Sequence, residues 1–271
     1  MTARAARSRS RPVPAAVPVA LSAAGGAAML ALQAWAAARA EYLPRAGHDV
    51  AHVADPGGRV RAGDGPARVR LAVLGDSTVA GVGADGPEGT LPVLVAARVA
   101  ARLGAPVAVR GFGVAGARTA DVAAEQAARL ARAGWAWDAA AVVVGSNDAT
   151  HALAPWRIRG LTREALGAVG AAAGAPVLLG GIPEFHTVPA VPPPLRRVLG
   201  FHADVLRHRQ RAGAGDLSVP FVDIRAEASP RFLGRPETMS PDGFHPSPEG
   251  YRLWADALAP TAYAIVTSSL R

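Results

Sequence analysis

The chain has 271 residues with no cysteine and no lysine, so disulfides, Cys-ligated zinc, a thiol nucleophile and a lipidated N-terminal cysteine are all excluded. Its formal charge of +8 is carried by arginine. Beyond the N-terminus those arginines are scattered among acids with few aromatics, which speaks for a solvated surface and against a nucleic-acid partner.

Residues 1–11 hold Arg4, Arg7, Arg9 and Arg11 without an acid, and residues 12–38 hold no charge at all. A basic flank before an apolar run longer than the roughly 20 residues of a spanning helix is the order of a signal anchor. The core of the run is 17–38, with Trp35 near its far end as an interfacial residue. The positive-inside rule places the N-terminus in the cytoplasm and the remainder outside. Cleavage at the small residues around Ala38 would instead release a secreted domain, and an Ala-rich helix packed on a cytoplasmic domain is a third reading. Residues 54–68 are rich in Gly, Pro and charge and read as a linker. The expected organisation is a basic flank and membrane helix over 1–40, a linker over 41–68 and the main domain over 69–271.

From Val69 onward, short β-like runs alternate with longer helical patterns. The predicted strands are 69–74, 106–110, 139–144, 176–179 and 219–224; the predicted helices are 91–103, 119–133, 161–173 and 195–212, with a last one opening at Ser247. In Ser247-Pro248 an N-cap is followed by proline at the first helical position. Alternation of this kind implies βαβ units and a parallel sheet covered on both faces, an α/β fold in three layers.

Four pieces of sequence at the ends of these elements carry chemistry. Leu71-Ala72-Val73-Leu74-Gly75-Asp76-Ser77 is an apolar strand stopped by a turn, which makes Ser77 a candidate nucleophile or an ordinary turn serine. Asp242 precedes His245 by three residues in the loop before the last helix, a spacing that lets the carboxylate reach the imidazole. Asn147, just after the strand 139–144, can aim its amide at a developing oxyanion or serve the turn. The glycines of Gly111-Phe112-Gly113-Val114-Ala115-Gly116 permit close approach of the Gly116 N–H to a substrate oxygen, and equally suit a strand-to-helix turn. The same spacing fits a dinucleotide fingerprint, but no acid ends a strand about 20 residues further on. His48, His52, His151, His186, His202 and His208 lack a companion of the Asp242 kind and read as surface or local structure.

Gly75-Asp76-Ser77, Gly113 to Gly116, Gly145-Ser146-Asn147-Asp148 and Asp242-Gly243-Phe244-His245 together resemble the SGNH hydrolases, also called the GDSL esterase/lipase family, over residues 69–260. The resemblance implies a flavodoxin-like three-layer α/β/α sandwich. It also implies Ser77 as nucleophile, with the Ser77 N–H, the Gly116 N–H and the Asn147 side chain as oxyanion hole. His245 becomes the general base and then acid, Asp242 its orienting partner, and no metal or cofactor is required. Arg110 stands where the family often has Asn, and the G-x-S-x-G elbow of the neighbouring α/β-hydrolases is absent. Asp76, beside the serine, reads as a clamp on its loop.

The implied reaction is hydrolysis of a lipid acyl or O-acetyl ester. Acyl transfer to a cell-envelope glycan or lipid and a catalytically silent binding module are the alternatives. The segment 182–195 would form an apolar acyl-binding wall with Phe185 and Val191 facing the pocket, or a proline-stiffened connection with no substrate contact.

Overall fold

The computed structural model describes residues 51–271. The fold is built around β3 (Val69–Gly75), whose side chains alternate between two cores: Val69, Leu71 and Val73 enter one and Ala72 and Leu74 the other. A strand apolar on both faces belongs in the middle of a covered sheet. It pairs in parallel with β4 (Val107–Gly111) on one side and β5 (Ala139–Val143) on the other, and the sheet continues through β6 (Val177–Gly180) and β7 (Phe221–Val222). The parallel strands lie in the order β4-β3-β5-β6-β7, the 2-1-3-4-5 winding of flavodoxin-like sheets.

Helices cover both faces. On one, α1 (Leu91–Leu103) and the last helix, α8 (Pro248–Ser269), pack on the core that holds Val73. The other face carries a composite helix: α2 (Thr119–Asp121), a π-helical segment Val122–Gln126 and α3 (Ala127–Arg132). It is followed there by α4 (Ser146–Thr150), α5 (Pro155–Ala173) and α6 (Leu195–Gly215), with Leu130, Leu166, Val169 and Ala214 closing the second core. A short α7 (Ile224–Glu227) leads into 3-10 turns at Ser229–Phe232 and Pro236–Thr238.

Two expectations are corrected. The sheet is mixed rather than wholly parallel: β1 (His52–Ala54) and β2 (Val60–Ala62) form an antiparallel hairpin that joins the β4 edge. The 41–68 linker therefore contains two strands, and the folded unit begins before Val69. Their composition hid them, because the turn at Pro56-Gly57-Gly58 and the exposed Arg61 of β2 read as coil, while pairing of β1 to β4 and of β2 to β1 supplies the backbone hydrogen bonds that hold them. The apolar run 17–38 and its membrane-anchor reading lie outside the described residues. Among the described residues no helix is long and apolar enough to cross a membrane.

Candidate active site

The strand that carries Ser77 stops because Gly75 lets it. Gly75 has φ +154°, and a Cβ there would lie 1.9 Å from the carbonyl oxygen of Val143 on the neighbouring strand. Both backbone groups of Gly75 are met by one buried side chain: its N–H donates to Gln126 Oε1 at 2.9 Å, and Gln126 Nε2 donates to its carbonyl at 2.8 Å. The turn then closes on itself. Asp76 Oδ1 accepts from the Thr78 N–H at 3.1 Å and the Thr78 hydroxyl at 2.9 Å, and the Val82 N–H donates to the Ser77 carbonyl at 3.0 Å. Asp76 is thus the loop clamp the sequence suggested. Burial pushes its carboxyl up to about 6, against the lowering pull of the Thr78 bonds.

The last loop presents His245 to this turn. Its Nε2 lies 2.9 Å from Ser77 Oγ, and its Nδ1 lies 2.6 Å from Asp242 Oδ2. An ionised carboxylate only accepts, so the proton sits on Nδ1 and Nε2 is left to accept from the serine hydroxyl. Asp242 is fixed from its other oxygen, which accepts from the N–H groups of Phe244 at 2.9 Å and His245 at 3.0 Å. Burial raises this carboxyl, but the bonds from the His245 ring, the two N–H groups and the histidine's charge outweigh it and hold it below the usual range. The loop itself is stapled by Ser240 N–H to His245 O at 2.9 Å and Ser240 Oγ to Pro246 O at 2.8 Å. From α8, the Tyr251 hydroxyl donates to Val82 O at 2.6 Å, tying this end of the chain to the segment after Ser77.

Ser77, His245 and Asp242 are therefore brought together across 168 residues of sequence. The other two predicted residues occupy adjoining loops. Gly113 packs so tightly on the Ser77 turn that a Cβ would lie 2.6 Å from Ala80 N, and the Val114 N–H donates to Gly75 O at 3.0 Å. Gly116 follows with φ +86°. Asn147 Nδ2 donates to the Ala117 carbonyl at 3.0 Å, and Asp148 Oδ2 accepts from the Thr119 N–H and hydroxyl at 2.9 and 2.7 Å, so these two loops are tied to each other. Burial raises the Asp148 carboxyl.

Beside the serine lies a cavity of about 350 Å³ with Ser77, Thr78, Ser146 and His245 at its polar end. Its apolar lining includes Pro183, Phe185, Val188, Phe232, Leu233, Met239 and Trp254, and Glu184 and Arg235 also border it. Of the two side chains expected to face the pocket from the segment 182–195, Phe185 does. Val191 instead packs into the buried cluster with Ile182 and Leu206. Phe244 stacks edge-on against both His245, at 5.1 Å, and Phe185, at 6.0 Å, linking the wall to the imidazole.

Sequence reading missed Gln126 and Gln210. Each is a buried polar residue on a helix, and the available signal was that a glutamine in a core must spend its amide on backbone. Gln210 receives the Ile182 N–H at 3.2 Å and donates to Val144 O at 2.9 Å, doing for β5 and β6 what Gln126 does for β3. His186 pairs with Asp204 at 3.2 Å, in keeping with a local structural role.

Comparison with known proteins bears on the family and the fold. Residues 73–253 match the GDSL-like Lipase/Acylhydrolase family. A curated GDSL-like esterase of Mycobacterium tuberculosis is 31% identical over 201 residues, a match that covers 71% of this chain and 61% of that protein's length. Among solved structures, an extracellular lipase from Streptomyces rimosus superposes with a TM-score of 0.56 at 21% identity, over 73% of this chain and 99% of its own. A lipase/acylhydrolase from Enterococcus faecalis gives 0.54 at 20% identity, over 72% and 96%. At these identities the structural likenesses speak for the fold alone: a mixed α/β sheet flanked by helices. The sequence match, which takes in the serine turn and the histidine loop, goes further, and the chain belongs to the GDSL-like lipase/acylhydrolase family.

Proposed function

We propose that the protein is a serine hydrolase of carboxylic esters. The observation that carries the reading is the continuous line Asp242, His245, Ser77 ending on an apolar cavity. In the first half-reaction Ser77 Oγ attacks the acyl carbon while His245 Nε2 takes the hydroxyl proton, and the imidazolium that forms is stabilised by Asp242. Negative charge gathers on the former carbonyl oxygen, for which the N–H groups of Ser77 and Gly116 and the amide of Asn147 are the proposed donors. Collapse breaks the bond to the alcohol, which leaves with the proton from His245. Water then attacks the acyl-serine, gives its proton to His245, and the acid departs as Ser77 Oγ regains a proton.

The cavity favours an acyl chain over an acetyl group. Apart from Glu184, Arg235, Thr187 and Ser229, its lining away from the serine is Pro, Phe, Val, Leu, Met and Trp with Gly234, which gains about 0.8 kcal/mol for each further methylene withdrawn from water. A medium-chain acyl ester is the substrate class this supports. The basic flank and apolar run of residues 1–38 support a membrane-anchored protein with the hydrolase outside the cytoplasm. A fluorophosphonate probe tests the chemistry: it is expected to label the wild-type chain on the peptide containing Ser77 and to leave Ser77→Ala unlabelled. Absence of labelling in the folded wild type, or labelling on another peptide, would overturn the reading.

A further inference from the structure

Trp156, Val198 and Phe201 are large apolar side chains that the fold leaves in water, exposed to 74%, 51% and 70%. Trp156 lies in the first turn of α5, and Val198 and Phe201 in the first two turns of α6, neighbouring helices that run in the same direction. Ile158 of α5 shares a buried cluster with Ala203 and Leu206 of α6, and further along Gly213 packs on the Arg159 carbonyl and Thr162. Trp156 and Phe201 each stand two residues before one of those buried anchors, a rotation of about 200°. Both therefore turn away from the packed cluster of the two adjacent helices, with Val198 about one turn before Phe201 on the same face of α6. The starts of these helices lie toward the C-terminal edge of the parallel strands, the edge at which Ser77 sits.

Charge selects the partner. No acid occurs between Asp148 and Glu164 or between Glu184 and Asp204, while Arg157 and Arg197 are exposed next to Trp156 and Val198. Asp204, three residues past Phe201, is already engaged by His186, Arg207 and Arg225, and Asp216, at the far end of α6, by Arg159 and Arg163. An aromatic and aliphatic patch rimmed by guanidinium groups matches the interface of an anionic bilayer, where aromatic rings settle at headgroup depth and arginines meet phosphates. A second copy of the chain fits poorly, because a twofold contact over this patch would oppose its own arginines.

We propose that this face docks on an anionic lipid surface, with Trp156, Phe201 and Val198 entering the interfacial layer and Arg157 and Arg197 contacting headgroup phosphates. The site is separate from the catalytic residues, and the proposal stands whether or not the hydrolase reading does. It is tested with the full chain and vesicles of phosphatidylglycerol brominated near the headgroup end of the acyl chains. Trp156→Phe keeps the apolar bulk and removes the reporter, so subtracting its emission from the wild type's isolates Trp156 from the other tryptophans. Quenching of that difference signal is expected, falling by at least about 5-fold in an Arg157→Glu, Arg197→Glu double variant, since each basic residue at such a surface is worth about 1 kcal/mol. Unchanged thermal unfolding shows that the variants fold. The proposal is overturned if the Trp156 signal is not quenched, if quenching is the same on phosphatidylcholine vesicles and survives charge reversal, or if sedimentation without lipid shows a dimer that shields Trp156.

Discussion

Gln126 holds both backbone groups of Gly75, two residues before Ser77, through bonds of 2.9 and 2.8 Å made by one fully buried amide. A π-helical segment ends at this residue, and the serine turn is thereby anchored from the helix layer as well as from the sheet. Gln126→Leu keeps the volume but leaves a buried N–H without its acceptor and a carbonyl with one donor fewer. A loss of about 2–4 kcal/mol in denaturant unfolding is expected.

Asp76 makes stability depend on pH. Its carboxyl titrates at about 6 in the folded protein against 3.8 for the unexposed-to-burial reference, so between these values the native state holds a proton the unfolded chain has released. Stability accordingly falls as pH rises through that window, and the cost of burying the charge is complete above about 6. Asp76→Asn keeps the acceptor for Thr78 and removes the charge. Relative to wild type it should gain on the order of 3 kcal/mol at about pH 7.5 and little at about pH 4, read from chemical denaturation at the two values. An equal effect at both would contradict the assignment.

Asp242→Asn preserves the oxygen that accepts from the Phe244 and His245 N–H groups but places an NH2 against His245 Nδ1. The imidazole must then carry its proton on Nε2 and can no longer accept from Ser77. The expected fall in kcat on a soluble ester is about 10⁴-fold with near wild-type thermal unfolding. Asn147→Ala, which removes a proposed oxyanion donor, should cost about 100- to 1000-fold in kcat.

The apolar cavity sets a chain-length profile. Across p-nitrophenyl esters, kcat/KM should rise by about 4-fold per added methylene until the cavity is filled, following the free energy of withdrawing each from water. Leu233 lines the cavity yet is 61% exposed, so Leu233→Arg should fold normally, weaken longer esters several-fold and leave acetate unchanged. A preference for acetate in the wild type would favour an O-acetyl substrate.

Much of this was legible because it is local. The run from Leu71 to Leu74 is apolar on both faces and can only be a central strand, and Asp242 reaches His245 within one loop. The meeting of His245 with Ser77 could be expected only from the family resemblance, since 168 residues separate them. The β1–β2 hairpin was illegible: three-residue strands carry no readable period, and β2 offers one apolar side chain, Val60, to the core and otherwise depends on pairing at the sheet edge. Val191 was misplaced for a related reason. The prolines around it fix the backbone without indicating which neighbour is buried, and the contact that decides is with Ile182 and α6.

The account rests on Ser77 as the nucleophile. Steady-state hydrolysis of a medium-chain p-nitrophenyl ester by wild type and Ser77→Ala tests it most directly. A folded Ser77→Ala protein that loses about 10⁴-fold or more of kcat/KM is the predicted result. A folded variant that hydrolyses the ester at the wild-type rate would contradict it.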